Sequence, residues 1–144
     1  MFELAKLPVF PVELVPTKLE AFKMASESPR IAIGRFKPVG SGQCVDFVQA
    51  NGYGHLNGNA WEWVKYINSS FGWIGSAVVL NEGKGHVALI IGTDGGYNLA
   101  EQNVEGLPPE ETSKNPKVNY RTIPFNHDKI LGFIFKLADT VDVR

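Results

Sequence analysis

The residue best suited to chemistry is a cysteine, because the 144-residue sequence contains only one. Cys44 follows the loop Gly40 to Gly42 and precedes apolar residues at helical spacing, which predicts a position in the first turn of a helix. Unpaired backbone N–H groups and the positive end of the helix dipole stabilise a thiolate there. The alternative interpretation is a small buried apolar side chain. Whether Cys44 is a nucleophile or a buried apolar residue depends on which residues can act with it.

A nucleophilic thiol needs a base, and histidine has the appropriate intrinsic pKa. The sequence offers three histidines. His55 and His127 stand in turn-forming segments, which favours solvent-exposed turn residues. His86 opens an apolar run of strand character, and a strand holds a general base more rigidly than a loop does. His86 is therefore the predicted base.

The following hairpin supplies a group that would orient the imidazole. The dipeptide Asp94-Gly95 predicts a two-residue type I′ turn. In the resulting register His86 lies opposite Asn103 and diagonal to Glu101, with all three on one face. A slip of one residue would bring Gln102 to that face instead. The residues leave open whether Glu101 or Asn103 makes the hydrogen bond to His86.

Gln43 stands immediately before the cysteine and has two interpretations. Its side-chain amide would donate a hydrogen bond to an oxyanion, with the backbone N–H of Cys44 as a second donor. Alternatively, Gln43 is a polar residue that caps the helix. The sequence favours neither.

The surrounding pattern predicts an α+β domain. Residues 1–30 read as a proline-punctuated arm with a short helix, and residues 31–144 as the catalytic domain. Two helices follow, one from Gln43 to about residue 50 and one from Asn59 with Trp61 and Val64 at helical spacing. This spacing predicts Trp61 in the core and Trp63 on the surface. After them the pattern changes to strands at 76–80, 86–91, 97–104, 118–123 and 130–137. Helices followed by an antiparallel sheet are typical of an α+β layer fold.

The composition of the sequence excludes several classes of partner and site. Fourteen basic and fifteen acidic side chains leave a net charge of −1, so nothing indicates nucleic acid as a partner. A single cysteine excludes both an internal disulfide and a zinc site with several cysteines. No run of about 18 apolar residues predicts a membrane span, and the start of the sequence lacks the features of a signal peptide. We expect no cofactor.

Three motifs in order resemble the CHAP family of cysteine, histidine-dependent amidohydrolases/peptidases. They are residues 42–47 (GQCVDF), 85–90 (GHVALI) and 101–103 (EQN), and the resemblance covers roughly residues 31 to 137. It implies a papain-like α+β fold, with N-terminal helices packed on a five- or six-stranded antiparallel sheet. It also implies cleavage of bacterial peptidoglycan, within its peptides or at the bond that joins peptide to N-acetylmuramic acid.

The resemblance assigns a role to each candidate. Cys44 matches the nucleophile, His86 the base and Glu101 the group that orients the histidine. Asn103 matches a further polar member of the site, and Gln43 the glutamine often found before the nucleophile. Some phage members carry an acidic calcium loop before the cysteine, whereas residues 34–42 contain no carboxylate, so we expect no metal there.

The expected function is a phage lysin or a virion-associated wall hydrolase, with other virion proteins as potential partners. Such an enzyme would be made in the cytoplasm and would act on the cell wall after release or delivery. Two alternatives stay open. One is an amidase that acts on a soluble γ-glutamyl conjugate, and the other is a non-catalytic virion or wall-binding module with the same fold.

Overall fold

Five antiparallel strands form one sheet in the computed structural model, which describes residues 36–135. The strand order is β4-β3-β2-β1-β5. The strands are β1 (Ala77–Leu80), β2 (His86–Gly92), β3 (Tyr97–Glu101), β4 (Asn119–Ile123) and β5 (Ile130–Ile134). The central strands β1, β2 and β3 are buried throughout. The first two are mostly apolar and rich in β-branched residues, whereas β3 also buries Asn98 and Glu101. The predicted α+β class and the five predicted strands are confirmed.

The hairpin between β2 and β3 has the predicted register but not the predicted turn. Leu89 pairs with Ala100 and Ile90 with Leu99, which is the alignment that the sequence predicted. Nearer the turn, Gly92 pairs with Asn98, and a bulge shifts the register between the two segments. The turn is wider than two residues because the Asn98 side chain accepts a hydrogen bond from the Asp94 N–H at 2.8 Å. The bulge compensates for the wider turn and restores the alignment.

The helices before the sheet are short. Helix α1 (Cys44–Val48) continues into a π-helical turn (Gln49–Tyr53), which leaves helical geometry at the predicted stop, where Gly52 has a φ of 115°. A 3₁₀ helix follows over Ala60–Tyr66. It starts after Asn59 as predicted, and the Glu62 carboxylate accepts a hydrogen bond from the Asn59 N–H at 2.7 Å. Helix α2 (Pro109–Thr112) lies in the long connection between β3 and β4.

The predicted inward face of the second helix is wrong. Trp61 is 58% exposed and Val64 is 47% exposed, whereas Trp63 is fully buried. Residues three apart share a face of a 3₁₀ helix, so Trp61 with Val64 and Ala60 with Trp63 form two separate faces, and the spacing alone does not show which face is buried. The Trp63 ring packs edge-on against Tyr66, and its indole N–H donates to the Gly58 carbonyl at 3.2 Å.

Two apolar clusters occupy alternating positions of the strands, one on each face of the sheet. The first combines Phe47 and Val48 of α1 with strand residues such as Val87 and Leu89. The second contains alternate strand residues, for example Val78, Ala88, Ile90, Leu99 and Phe133. Helix α1 is therefore fixed against the sheet through its apolar side, and its first residue is held near the end where β2 begins and β3 stops.

Two parts of the sequence lie outside the described residues. The predicted arm and short helix of residues 1–30 are among them, as are residues 136–144, so the division at residue 30 stays a prediction. Across residues 36–135, every helix falls short of the length and apolar character that a membrane crossing requires.

The two tryptophans of the 3₁₀ helix provide a matched test of the core. Trp63→Ala removes a fully buried side chain, and we expect the free energy of unfolding to fall by about 3–5 kcal/mol. Trp61→Ala removes an exposed side chain and should change it by less than about 0.5 kcal/mol. Urea denaturation of both variants measures the difference. Equal losses would contradict this assignment of core and surface.

Candidate active site

The geometry around Cys44 suits an attacking thiol. Cys44 is the first residue of α1 and is half-buried, so the sulfur is partly accessible. Gln43 before it is extended, with a φ of −86° and a ψ of 153°, and the helix begins abruptly at the cysteine. Because the first N–H groups of a helix have no helical acceptor, the backbone N–H of Cys44 is available for an incoming oxygen. The sequence-predicted position in the first turn is correct.

His86 is held at the start of β2 by its backbone surroundings. It is 3% exposed and follows Gly85, which has a φ of 105°. A Cβ atom on Gly85 would lie 2.7 Å from the backbone of Trp61, so only glycine permits this close approach of the 3₁₀ helix. The approach fixes the direction from which the chain enters β2. The imidazole therefore has little freedom.

The two ring nitrogens of His86 have different partners. Nε2 lies 2.8 Å from Oε1 of Glu101. The side chains of His86 and Cys44 interact, and Nδ1 is the ring nitrogen that Glu101 leaves available for this contact. The order Cys44, His86, Glu101 thus forms a connected chain from the surface to the interior. Glu101, rather than Asn103, makes the hydrogen bond to the imidazole.

Glu101 is a fully buried carboxylate with several donors. Besides His86, its oxygens accept hydrogen bonds from Nε of Arg121 at 2.7 Å and from the side-chain amide of Asn119 at 3.0 Å. Burial alone would raise the pKa of Glu101, but the hydrogen bonds and positive charges of His86 and Arg121 outweigh it and lower the pKa below its ordinary value. Glu101 is therefore ionised at neutral pH.

The ionised carboxylate in turn acts on the imidazole. Burial would lower the pKa of His86, but hydrogen bonds to Cys44 and Glu101 and their negative charges outweigh it and raise the pKa to about 9. An imidazolium is consequently the favoured form at neutral pH, and it lies beside the sulfur. A cysteine next to such a group can attack a carbonyl carbon and have its leaving group protonated.

The family model of the CHAP domain matches residues 35–103. Over this segment the chain is similar to the CHAP domain family. The family is generally hydrolytic, with amidase or peptidase activity, and acts on peptidoglycan. No curated protein and no solved structure matches the chain. The matched segment includes Cys44, His86 and Glu101 but ends before β4 and β5.

Gln43 is engaged with the connection between β3 and β4. Its side-chain amide donates to the Thr112 hydroxyl at 2.7 Å and to the Leu107 carbonyl at 3.2 Å, which uses both amide protons. The Thr112 hydroxyl donates in turn to the carbonyl of Ser41. The predicted side-chain cap is absent, while the role of Gln43 as an oxyanion donor stays a prediction. Gln43 ties the loop before the nucleophile to helix α2.

Asn103 is also used within that connection. Strand β3 ends at Glu101, and Asn103 adopts the left-handed conformation with a φ of 57°. Its side chain donates to the Leu107 carbonyl at 2.9 Å and accepts from the Leu107 N–H at 2.8 Å. Asparagine tolerates this conformation and commonly closes such turns. The extrapolated strand pairing with His86 is therefore wrong, because the chain leaves the sheet two residues earlier.

Gln102 is a site residue that the sequence interpretation gave no role. It is fully buried, and its side-chain oxygen accepts a hydrogen bond from the Val39 N–H at 2.7 Å. Its amide donates to the Gln43 carbonyl at 3.3 Å. Gln102 thus fastens the loop before the nucleophile to the end of β3, next to Glu101. No sequence signal separates this role from that of an exposed polar residue at a strand end.

Arg121 and Asn119 were likewise not predicted as site residues. A weak signal exists, since polar side chains at alternate positions of one strand point to the same face. Recognising it requires the pairing of Glu101 with Asn119 across β3 and β4. The long connection between these strands leaves that register unspecified by any short turn.

A groove of about 360 Å³ opens beside the nucleophile loop. Its lining includes Gly42, Asn103, Leu107, Thr112 and Val118. Among residues 36–135, no group of three or more histidine, cysteine, aspartate or glutamate side chains is arranged to hold a metal ion.

The raised pKa of His86 is directly measurable. We expect its ring protons to titrate near pH 9 by NMR, with the signals assigned by their loss in His86→Gln. In Cys44→Ala the midpoint should fall, because the hydrogen bond and negative charge of Cys44 are removed. A wild-type midpoint at the ordinary value of about 6.5 would contradict the described pairing.

Proposed function

We propose that this protein is a cysteine-dependent hydrolase of amide bonds in bacterial peptidoglycan. One observation carries the proposal: a half-buried Cys44 at a helix start interacts with His86, and one ring nitrogen of His86 is held by the fully buried Glu101. A wall-binding module would gain nothing from a buried carboxylate aligned behind a histidine and a thiol. The similarity of residues 35–103 to the CHAP domain family supplies the class of substrate.

The chemical sequence has two halves. The Cys44 thiolate attacks the carbonyl carbon of the scissile amide, and the backbone N–H of Cys44 donates to the oxyanion that forms. The His86 imidazolium then protonates the amine as the carbon–nitrogen bond breaks, leaving a thioester. Neutral His86 next takes a proton from water, whose hydroxide attacks the thioester. The proton and the released thiolate restore the starting pair.

Glu101 acts on the imidazole throughout the cycle. It keeps the Nε2 proton in place, so Nδ1 faces the sulfur, and it stabilises the positive charge of the imidazolium. Gln43 and Gln102 do not take part in the proton transfers. They hold the loop before Cys44 against α2 and β3, and thereby fix the position of the nucleophile.

We further propose a papain-like arrangement, with the groove beside Gly42 receiving the peptide of the wall polymer. The biological setting that fits is a phage lysin or a virion-associated wall hydrolase, which reaches the wall after release or delivery from the cytoplasm where it is made. The bond cleaved is either within the peptides or between peptide and N-acetylmuramic acid.

The substrate class is tested with purified sacculi from Gram-negative and Gram-positive bacteria. We expect wild-type protein to release soluble fragments whose masses and new termini identify the cleaved amide. Cys44→Ala should release none, because the nucleophile is absent. Fragments from both proteins would exclude thiolate catalysis. No fragments from either, with Cys44-dependent turnover of a soluble γ-glutamyl amide, would retain the chemistry and overturn peptidoglycan as substrate.

The role of Glu101 is separable from that of Asn103 by kinetics. Glu101→Gln keeps the shape of the side chain but removes its charge, so kcat/KM should fall by about 10²-fold or more. Asn103→Ala loosens a turn outside the proton path, and its loss should be at least about tenfold smaller. A larger loss in Asn103→Ala than in Glu101→Gln would assign the orienting role to Asn103.

A further inference from the structure

Arg121 on β4 contacts the Glu101 carboxylate, which His86 contacts from β2 on the other side of β3. Its Nε donates to Oε2 of Glu101 at 2.7 Å, and one terminal nitrogen lies 3.2 Å from Oε1. The same guanidinium donates to both carboxylate oxygens of Glu82, at 2.6 and 3.1 Å. Arg121 thus binds two carboxylates, each through a bidentate contact. The planar guanidinium permits this geometry, whereas the ammonium group of lysine does not.

We propose that Arg121 is a positioning residue, which fixes the carboxylate of Glu101 in its ionised form with one oxygen directed at His86. The inference rests on the proposed function, since it takes Cys44 and His86 as the reacting pair. Arg121 does not touch the sulfur or the substrate in this assignment. It acts through Glu101.

The geometry of Glu101 supports this role. A carboxylate with no exposed surface loses its hydration and stays charged only if its oxygens are otherwise satisfied. His86 occupies one oxygen, and Asn119 contributes a neutral donor to the other. Arg121 alone among these donors is permanently charged, and it contacts both oxygens. It therefore defines the orientation of the carboxylate plane.

Glu82 fixes Arg121 in turn. It lies in the turn between β1 and β2, four residues before His86, and its side chain is 21% exposed. Arg121 is 27% exposed, so the outer pair partly shields the inner one from water. His127 lies beyond Glu82, with its Nε2 3.6 Å from the carboxylate. Seen from Glu101 outward, the charged groups run Arg121, Glu82 and then His127.

Two opposite effects of removing Arg121 can be distinguished. If Glu101 stayed ionised, its charge would act on His86 alone and the imidazolium would become more stable. If Glu101 instead takes up a proton more easily, the imidazolium loses its partner as the pH falls. Burial is the largest influence on the Glu101 pKa and favours the neutral form, so we expect the second effect to dominate.

The test uses the alkylation of Cys44 by iodoacetamide as a function of pH. This thiol is the only one in the sequence, so the rate reports the thiolate at the site without any wall substrate. In Arg121→Met, the acidic limb of the rate profile should move to higher pH by about one unit, which lowers the rate about tenfold at pH values below the wild-type limb. Lys129→Met removes an exposed positive charge and serves as the matched control, with no shift expected.

A second variant tests the inference if Arg121→Met does not fold. Arg121→Lys keeps the charge but cannot reach both oxygens, so its acidic limb should lie between those of the wild type and Arg121→Met. Thermal denaturation identifies the folded variants. An unchanged profile in a folded Arg121 variant, or a shift to lower pH, overturns the inference and leaves a structural role only.

Failure of the proposed function gives a different result. If wild-type Cys44 reacts with the profile of an ordinary free thiol, the pairing with His86 is wrong and both proposals fall. If the wild-type profile is perturbed but the Arg121 variants match it, only the positioning role is lost. If the variants shift while wild-type protein cleaves no wall, the positioning role stands and peptidoglycan is the wrong substrate.

Discussion

The ionised carboxylate of Glu101, with no exposed surface, is the constraint on which the site depends. A buried charge is costly unless donors surround it, and here the donors come from both neighbouring strands. His86 lies at the start of β2, while Asn119 and Arg121 lie on β4. Strand β3 must therefore lie between β2 and β4, as the observed strand order has it. The ionised state of Glu101 therefore depends on the order of the strands in the sheet.

The parts of this site that sequence reasoning predicted are local in the chain. Cys44 was recognisable because a glycine loop and a helical pattern surround it, and His86 because it opens a strand. The contact between His86 and Glu101 depends on a hairpin, whose register a short connection restricts. Even so, the predicted two-residue turn was wrong, and the alignment held because a bulge compensated for the wider turn.

The parts that could not be predicted depend on distant pairings or on departures from regular geometry. Arg121 reaches Glu101 across a connection of 17 residues, from 102 to 118, whose length sets no register. Asn103 leaves the strand because its side chain satisfies the turn that follows it. Trp63 is buried instead of Trp61, and the spacing of apolar residues fits either face of this 3₁₀ helix. In each case the local spacing of residues left more than one arrangement open, and contacts with other parts of the structure decided between them.

Cys44 is half-buried, and its partly accessible thiol is open to oxidation. A thiolate that attacks carbonyl carbon also reacts with peroxide, and the product is a sulfenic acid. Such a group is normally rescued by a nearby thiol through a disulfide, but these 144 residues contain no second cysteine. Recovery then requires a small thiol from outside, and without one the sulfur proceeds to the irreversible sulfinic state. The redox state of the surroundings therefore sets the working lifetime of the nucleophile.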